Sequence, residues 1–305
     1  MKWCLETHTL GRPAPAVKRR SLLYTPARVK PLSDVTLAAL LLALGAARAD
    51  AQTRPLQTEP AVTAPAGTLV LETGMDLIAG EPSYVTGVER TRWDGPLLRL
   101  VYSPARNVEL DFEWVARVGV AGEEGRGDIQ SSEWGDVTLR AKWRIVEGKG
   151  RHPAIGARFG VVLPQTSFED VEFNPLGLGP NTLRAFVEGL LTQQVGRGRV
   201  HLNAGLFLHD EVYRPHDQRD FLSYGLAFEW PASARLAVVA EVAGRTGDGE
   251  PGAEVRSEAR AGLRVGAGRL KWDVALRRGI ASADGTWGVT AGLAWDARRA
   301  SAGVP

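Results

Sequence analysis

Arg235-Leu236-Ala237-Val238-Val239-Ala240-Glu241-Val242 sorts its side chains onto two unlike faces. Leu236, Val238, Ala240 and Val242 share one face, and Arg235 and Glu241 share the other. Successive side chains of a strand point to opposite faces, so a period of two reads as a strand. Twelve such stretches fill the chain from about Thr68 to Ala297. They run to roughly ten residues, the length a tilted strand needs to cross a bilayer.

Strands are expected over Thr68–Ile78, Pro96–Ser103, Asn107–Val120, Gly135–Val146, Pro153–Leu163, Thr182–Val195, Arg199–Leu208, Phe221–Trp230, Arg235–Arg245, Val255–Gly266, Arg269–Arg277 and Thr286–Trp295. Long connections follow the odd-numbered strands and short ones the even-numbered. Short turns at one end and long loops at the other mark a bacterial outer-membrane barrel, whose strand number is even. The fold class expected is therefore all-β, a transmembrane antiparallel β-barrel of about twelve strands with both termini in the periplasm. A soluble sandwich has no reason to alternate its loop lengths so regularly.

Residues ahead of the barrel fit this reading. Val35–Ala47 (VTLAALLLALGAA) is apolar and follows Lys18, Arg19, Arg20, Arg28 and Lys30. A basic segment, a short apolar core and a small-residue site make a secretory signal, here 1–51 with cleavage after Ala49 or Ala51. Gln52–Gly67 (QTRPLQTEPAVTAPAG), rich in Pro, Thr and Ala, reads as an extended or disordered periplasmic leader. The barrel is expected over 68–297, with a tail at 298–305. Of 37 basic and 35 acidic residues, eight and three fall in residues 1–51, which leaves 29 against 32. A mature chain near −3 gives no reason to expect a nucleic-acid partner. Cys4, the single cysteine, falls in the signal, so disulfides and thiolate chemistry are not expected.

On the lipid face the alternation puts Leu110, Phe112, Trp114, Leu139, Trp143, Phe159, Val161, Leu202, Leu206, Trp230, Leu270, Trp272, Trp287, Leu293 and Trp295. Several Trp residues fall near strand ends, as in the girdles at the two interfaces. The inward face is charged. Glu109, Asp111 and Glu113 on the third strand oppose Arg140, Lys142 and Arg144 on the fourth, and Arg158 follows on the fifth. Arg256, Glu258 and Arg260 lie on the tenth. These ten residues are the candidates for setting selectivity. They read either as charges that satisfy one another across strands or as the lining of a path for polar or anionic solutes. The excess of Arg on strands four, five and ten favours anions over cations.

Catalytic chemistry has little to stand on. His201 with Ser223 on the neighbouring strand is the nearest approach to a Ser/His pair, and a lumen histidine with ordinary partners is the plainer reading. His209-Asp210-Glu211 with His216-Asp217 reads as a solvated loop before it reads as a metal site. No phosphate-binding or dinucleotide motif is present. The chain is not expected to be an enzyme, and no catalytic residue, metal or cofactor is expected.

Gly135-Asp136-Val137-Thr138-Leu139-Arg140-Ala141-Lys142-Trp143 resembles the glycine-aspartate strand of the family named for the MetA-pathway of phenol degradation. Gly160-Val161-Val162-Leu163-Pro164-Gln165-Thr166 is similar to the strand end that follows it there, with Gln-Thr in place of Thr-Gly. The resemblance spans roughly Leu97–Trp295. It implies an outer-membrane, transporter-like barrel that passes small, often aromatic, compounds, and it brings no catalytic residues. The function expected is a channel for passive uptake of small molecules, aromatic or anionic. A closed barrel that binds or serves structurally through its outer loops is the alternative. There Phe168, Phe173, Leu176, Leu178 and Tyr213 could take an apolar solute. The partners expected are outer-membrane lipid, a small-molecule solute and the barrel-assembly machinery, in the outer membrane of a Gram-negative cell.

Overall fold

The computed structural model describes residues 52–83, 87–121, 131–166, 178–179, 181–210, 217–247 and 253–297. The expected signal 1–51, the tail 298–305, and the loop residues Phe168, Phe173, Leu176, Glu211, Tyr213 and His216 lie outside these. Strands are β1 (Leu69–Pro82), β2 (Glu89–Ala105), β3 (Val108–Val115), β4 (Val118–Ala121), β5 (Ser131–Glu133), β6 (Val137–Val146), β7 (Ala154–Leu163) and β8 (Arg184–Val195). They continue as β9 (Gly198–Asp210), β10 (Gln218–Pro231), β11 (Leu236–Arg245), β12 (Arg256–Ala267), β13 (Leu270–Gly279) and β14 (Trp287–Asp296).

All neighbours pair antiparallel, and β1 pairs with both β2 and β14, which closes the sheet into a barrel. β3 and β4 both pair with β2, so they are two pieces of one wall strand, interrupted at Ala116-Arg117. β5 pairs with β4 as β6 pairs with β3, so these too share a strand. The wall thus has twelve strands, as the alternation required. Among the described strands only the short β5 is paired on one side alone, with β4; the rest are paired on both sides, the condition for backbone polar groups to sit in hydrocarbon.

The largest departure from the sequence reading falls between the first two strands. β2 starts at Glu89 rather than at Pro96, and β1 runs on to Pro82, so the expected loop Ala79–Gly95 shrinks to the six residues between them. Pro96 reads as a break because it has no N–H for the ladder. The sheet absorbs it with a register shift opposite Gly74/Asp76, where Gly95 takes a φ of 150° that suits glycine.

Alternation holds through the wall. Twelve of the fifteen expected lipid-facing side chains are exposed, and Trp114, Val161 and Leu293 are half-exposed. The described tryptophans form two belts. Trp93, Trp114, Trp134 and Trp287 lie toward the long connections, and Trp143, Trp230, Trp272 and Trp295 lie at the short turns.

Candidate functional site: a lumen crossed by the leader

Gln52–Gly67 was expected outside the barrel. Here the structure corrects the sequence: the segment lies inside, with most of it buried between Gln52 and Ala64. Its backbone belongs to no ladder, so its polar groups must find side-chain partners. The inward charges of the wall provide them. Glu241 accepts from the Gln57 N–H at 2.8 Å and the Thr58 N–H at 2.8 Å. Thr192 Oγ1 accepts from the Ala61 N–H at 2.8 Å, and the Glu109 carboxylate accepts from the Ala64 N–H. Arg260 donates to the Pro55 carbonyl at 2.8 Å, and Arg264 donates to the Arg54 carbonyl at 2.7 Å.

Glu59 and Arg54 are the only charged residues of the leader, and each is met by opposite charge. Glu59 accepts from Lys142 at 2.9 Å, Arg158 at 3.2 Å and Arg99 at 3.3 Å, with Thr53 Oγ1 at 2.7 Å. Burial alone would raise the pKa of this carboxyl. The charges of Lys142, Arg99 and Arg158 outweigh it and hold the group well below its ordinary 4.5. Arg54 donates to Thr290 Oγ1 at 2.6 Å and to the Ala291 carbonyl at 3.1 Å, and it lies 3.4 Å from Asp76. Leu56 packs with Ala227 and Val239, and Ala61 packs with Ala154 and Leu190. Burying one such leucine contributes about 2 kcal/mol. The wall leaves room for the segment. A Cβ on Gly225 would lie 2.6 Å from Thr58 Oγ1. Leader contacts reach each of the twelve wall strands.

Toward the long connections the lumen opens into a cavity of about 530 Å³, with Gln57 and Thr58 in its floor. One wall carries Phe207 and His209. The Phe207 ring stacks on Phe186 with centroids 4.7 Å apart, and His209 meets Phe221 edge-on at 4.8 Å. Arg245 lies over the Phe221 ring at 4.8 Å. The opposite wall carries Asp76, Glu81, Arg92 and Asp94.

All ten candidate selectivity residues are in the lumen wall. The acidic and basic ladders face each other as expected, with Glu109 opposite Lys142 and Asp111 opposite Arg140. Arg140 reaches Glu113 at 2.7 Å and Asp111 at 3.2 Å. Arg158 pairs with Glu188 as well as Glu59, and Arg260 pairs with Glu258 at 2.6 Å. Arg158, Arg256, Glu258 and Arg260 line the cavity. Arg144 stands apart, near the short turns, donating to the Arg106 carbonyl at 2.8 Å. Glu59, Arg99, Glu188 and Glu241 were not among the candidates, although inward alternation pointed to the last three. His201 and Ser223 do not meet. His201 Nδ1 bonds Thr192 at 2.9 Å, and Ser223 donates to Glu188 at 3.0 Å. Leu178 is not at an open loop surface but buried with Val118 and Val120.

The two quoted motifs also come together. Asp136 accepts from the Gln165 N–H at 2.9 Å and the Thr166 N–H at 3.2 Å, and it pairs with Arg184. The aspartate of one strand start thus caps the chain leaving the next strand.

At 16% identity, the structure of the COG4313 outer membrane channel from Pseudomonas putida F1 has a TM-score of 0.58, covering 77% of this chain and 97% of that one. This chain has the fold of an outer-membrane β-barrel. Looser likenesses, too distant to carry an argument, include LpxR from Salmonella typhimurium and the Pseudomonas putida toluene transporter TodX. LpxR is 10% identical with a TM-score of 0.42, covering 74% of this chain and 99% of that one. TodX is 10% identical with a TM-score of 0.41, covering 77% and 90%. The family model described as "Uncharacterised conserved protein UCP029691" matches residues 180–295, from just before β8 into β14. No curated protein matches the sequence.

Proposed function

We propose that the protein is a channel in the outer membrane of a Gram-negative cell for passive uptake of small molecules. One observation carries the reading. The lumen holds a cavity of about 530 Å³ that ends on Gln57 and Thr58, a floor made by the leader rather than by the wall. A floor of that kind can move without breaking the barrel. The fold likeness to a protein described as an outer membrane channel supports it. The short turns and both termini face the periplasm in this reading, so the leader enters from the inside. Transport rather than catalysis fits the separate bonding of His201 and Ser223. The paired wall favours neither ion sign strongly, and Phe207 with His209 offers an aromatic solute a surface. Selectivity is assigned first to Arg158, Arg256, Glu258 and Arg260, which line the cavity.

A closed barrel acting through its outer loops is the second reading, favoured by the leader's contacts with every wall strand. Single-channel recording separates the two. The channel reading expects small or rare steps from the mature protein and large, stable ones from a folded variant lacking residues 52–66. Silence from both, with the barrel shown to be folded, would establish the closed form.

A further inference from the structure

We propose that the short-turn end of the barrel is a binding surface for anionic phospholipid headgroups, with phosphatidylglycerol as the simplest. Five short turns join β2 to β3, β6 to β7, β8 to β9, β10 to β11 and β12 to β13. Each carries a cation: Arg106, Lys149 with Arg151, Arg197, Arg235 and Arg269. Glu147 is the one acidic residue among them. All but Arg235 of these six cations are exposed. The opposite end differs in charge: the described parts of its connections carry Asp217, Glu254 and Asp284 and no Lys or Arg. A basic ring at one end alone is therefore not a matter of overall composition, which is near balance.

Tryptophan selects lipid over a soluble acidic partner. Trp230 packs beside Gly198, the neighbour of Arg197. Trp295 pairs with Leu270, the neighbour of Arg269. Trp143 pairs with Val108, two residues from Arg106. These three rings point outward and are 39–50% exposed. An outward indole fixes the depth of the headgroup region. A guanidinium just beyond it stands at the level of the lipid phosphates, where each cation adds about fivefold to the attraction for an anionic surface.

Tryptophan quenching by brominated lipids tests this on the folded mature protein in mixed vesicles. Brominated phosphatidylglycerol is expected to quench about threefold more than brominated phosphatidylcholine at equal mole fraction, an excess that salt removes. Arg106→Gln, Arg151→Gln, Arg197→Gln and Arg269→Gln together should abolish the excess in a barrel that keeps its strand circular dichroism. Should that variant not fold, Arg106→Gln with Arg197→Gln, both exposed, should at least halve it. Equal quenching by the two lipids in the wild type, as a soluble acidic partner would leave it, overturns the proposal. So does an excess that persists in a folded variant. The proposal needs the barrel but not the transport reading, since a closed barrel would bind the same lipid.

Discussion

Glu59 of the leader and Lys142 of β6 form an ion pair at 2.9 Å in the middle of the barrel, between residues 83 positions apart. Arg99 and Arg158 converge on the same carboxylate. One leader acid thus balances charge from three wall strands.

Glu59→Gln should loosen the leader. Arg99, Lys142 and Arg158 each keep a wall carboxylate (Asp111, Glu109 and Glu188), so the wall stays paired while the leader loses its charged hydrogen bonds, at about 1.5–3 kcal/mol. The expected outcome is a rise in single-channel conductance and faster proteolysis between Gln52 and Gly67, with the barrel intact. A leader as protected as in the wild type would show that its hydrogen bonds to Glu241 and Thr192 hold it unaided.

Gly225→Val should act on the same segment by bulk alone. The added carbons occupy the place of Thr58 Oγ1, which would lie 2.6 Å from the first of them. Conductance is expected to rise with no change in net charge. An unaltered record would mean that Thr58 moves aside and the floor stays closed.

Acid should release the leader late. The pKa of Glu59 is depressed in the folded state, so its contribution is present above the ordinary carboxylate value and fades as pH falls through the depressed one. Conductance should stay flat through pH 5 and climb only well below 4.5. A rise between pH 6 and 5 would assign the control to another group.

Phe159→Arg places a charge on the lipid face near the middle of β7, where Phe159 is 53% exposed. The expected loss is about 2–4 kcal/mol of folding stability in vesicles, read from the urea midpoint. A loss below about 1 kcal/mol would move this position toward an interface.

Arg256→Gln removes a cation from the cavity while Glu81 and Asp284 remain beside it. In a variant without the leader, the reversal potential in a salt gradient should shift toward cation preference. Arg144→Gln, outside the cavity, should leave it close to the parent value. Equal shifts from both would place the selective region nearer the short turns.

Several features of the site were legible in the sequence because they repeat. Glu109, Asp111 and Glu113 alternate with Leu110 and Phe112, and that spacing alone sends three carboxylates inward. Their pairing with Lys142 and Arg140 follows from strand order and from the outward apolar face, which fixes the parity of the register across a long connection; the tight turns lie elsewhere. Gly196 and Gly268, both at positive φ in two-residue turns, marked two of those corners.

The leader was not legible. Gln52–Gly67 has no period, and its Pro, Thr and Ala composition is that of a disordered chain. Its partners are scattered from Asp76 to Ala291, and no local pattern encodes contacts made at such separations. Alternation and loop length specify the wall: twelve strands and two faces, with several tryptophans near strand ends. What fills the lumen emerges only when the sheet closes. Closing the sheet brings inward charges from every strand around one volume, and a segment with unpaired backbone groups is stable there once those charges bind it.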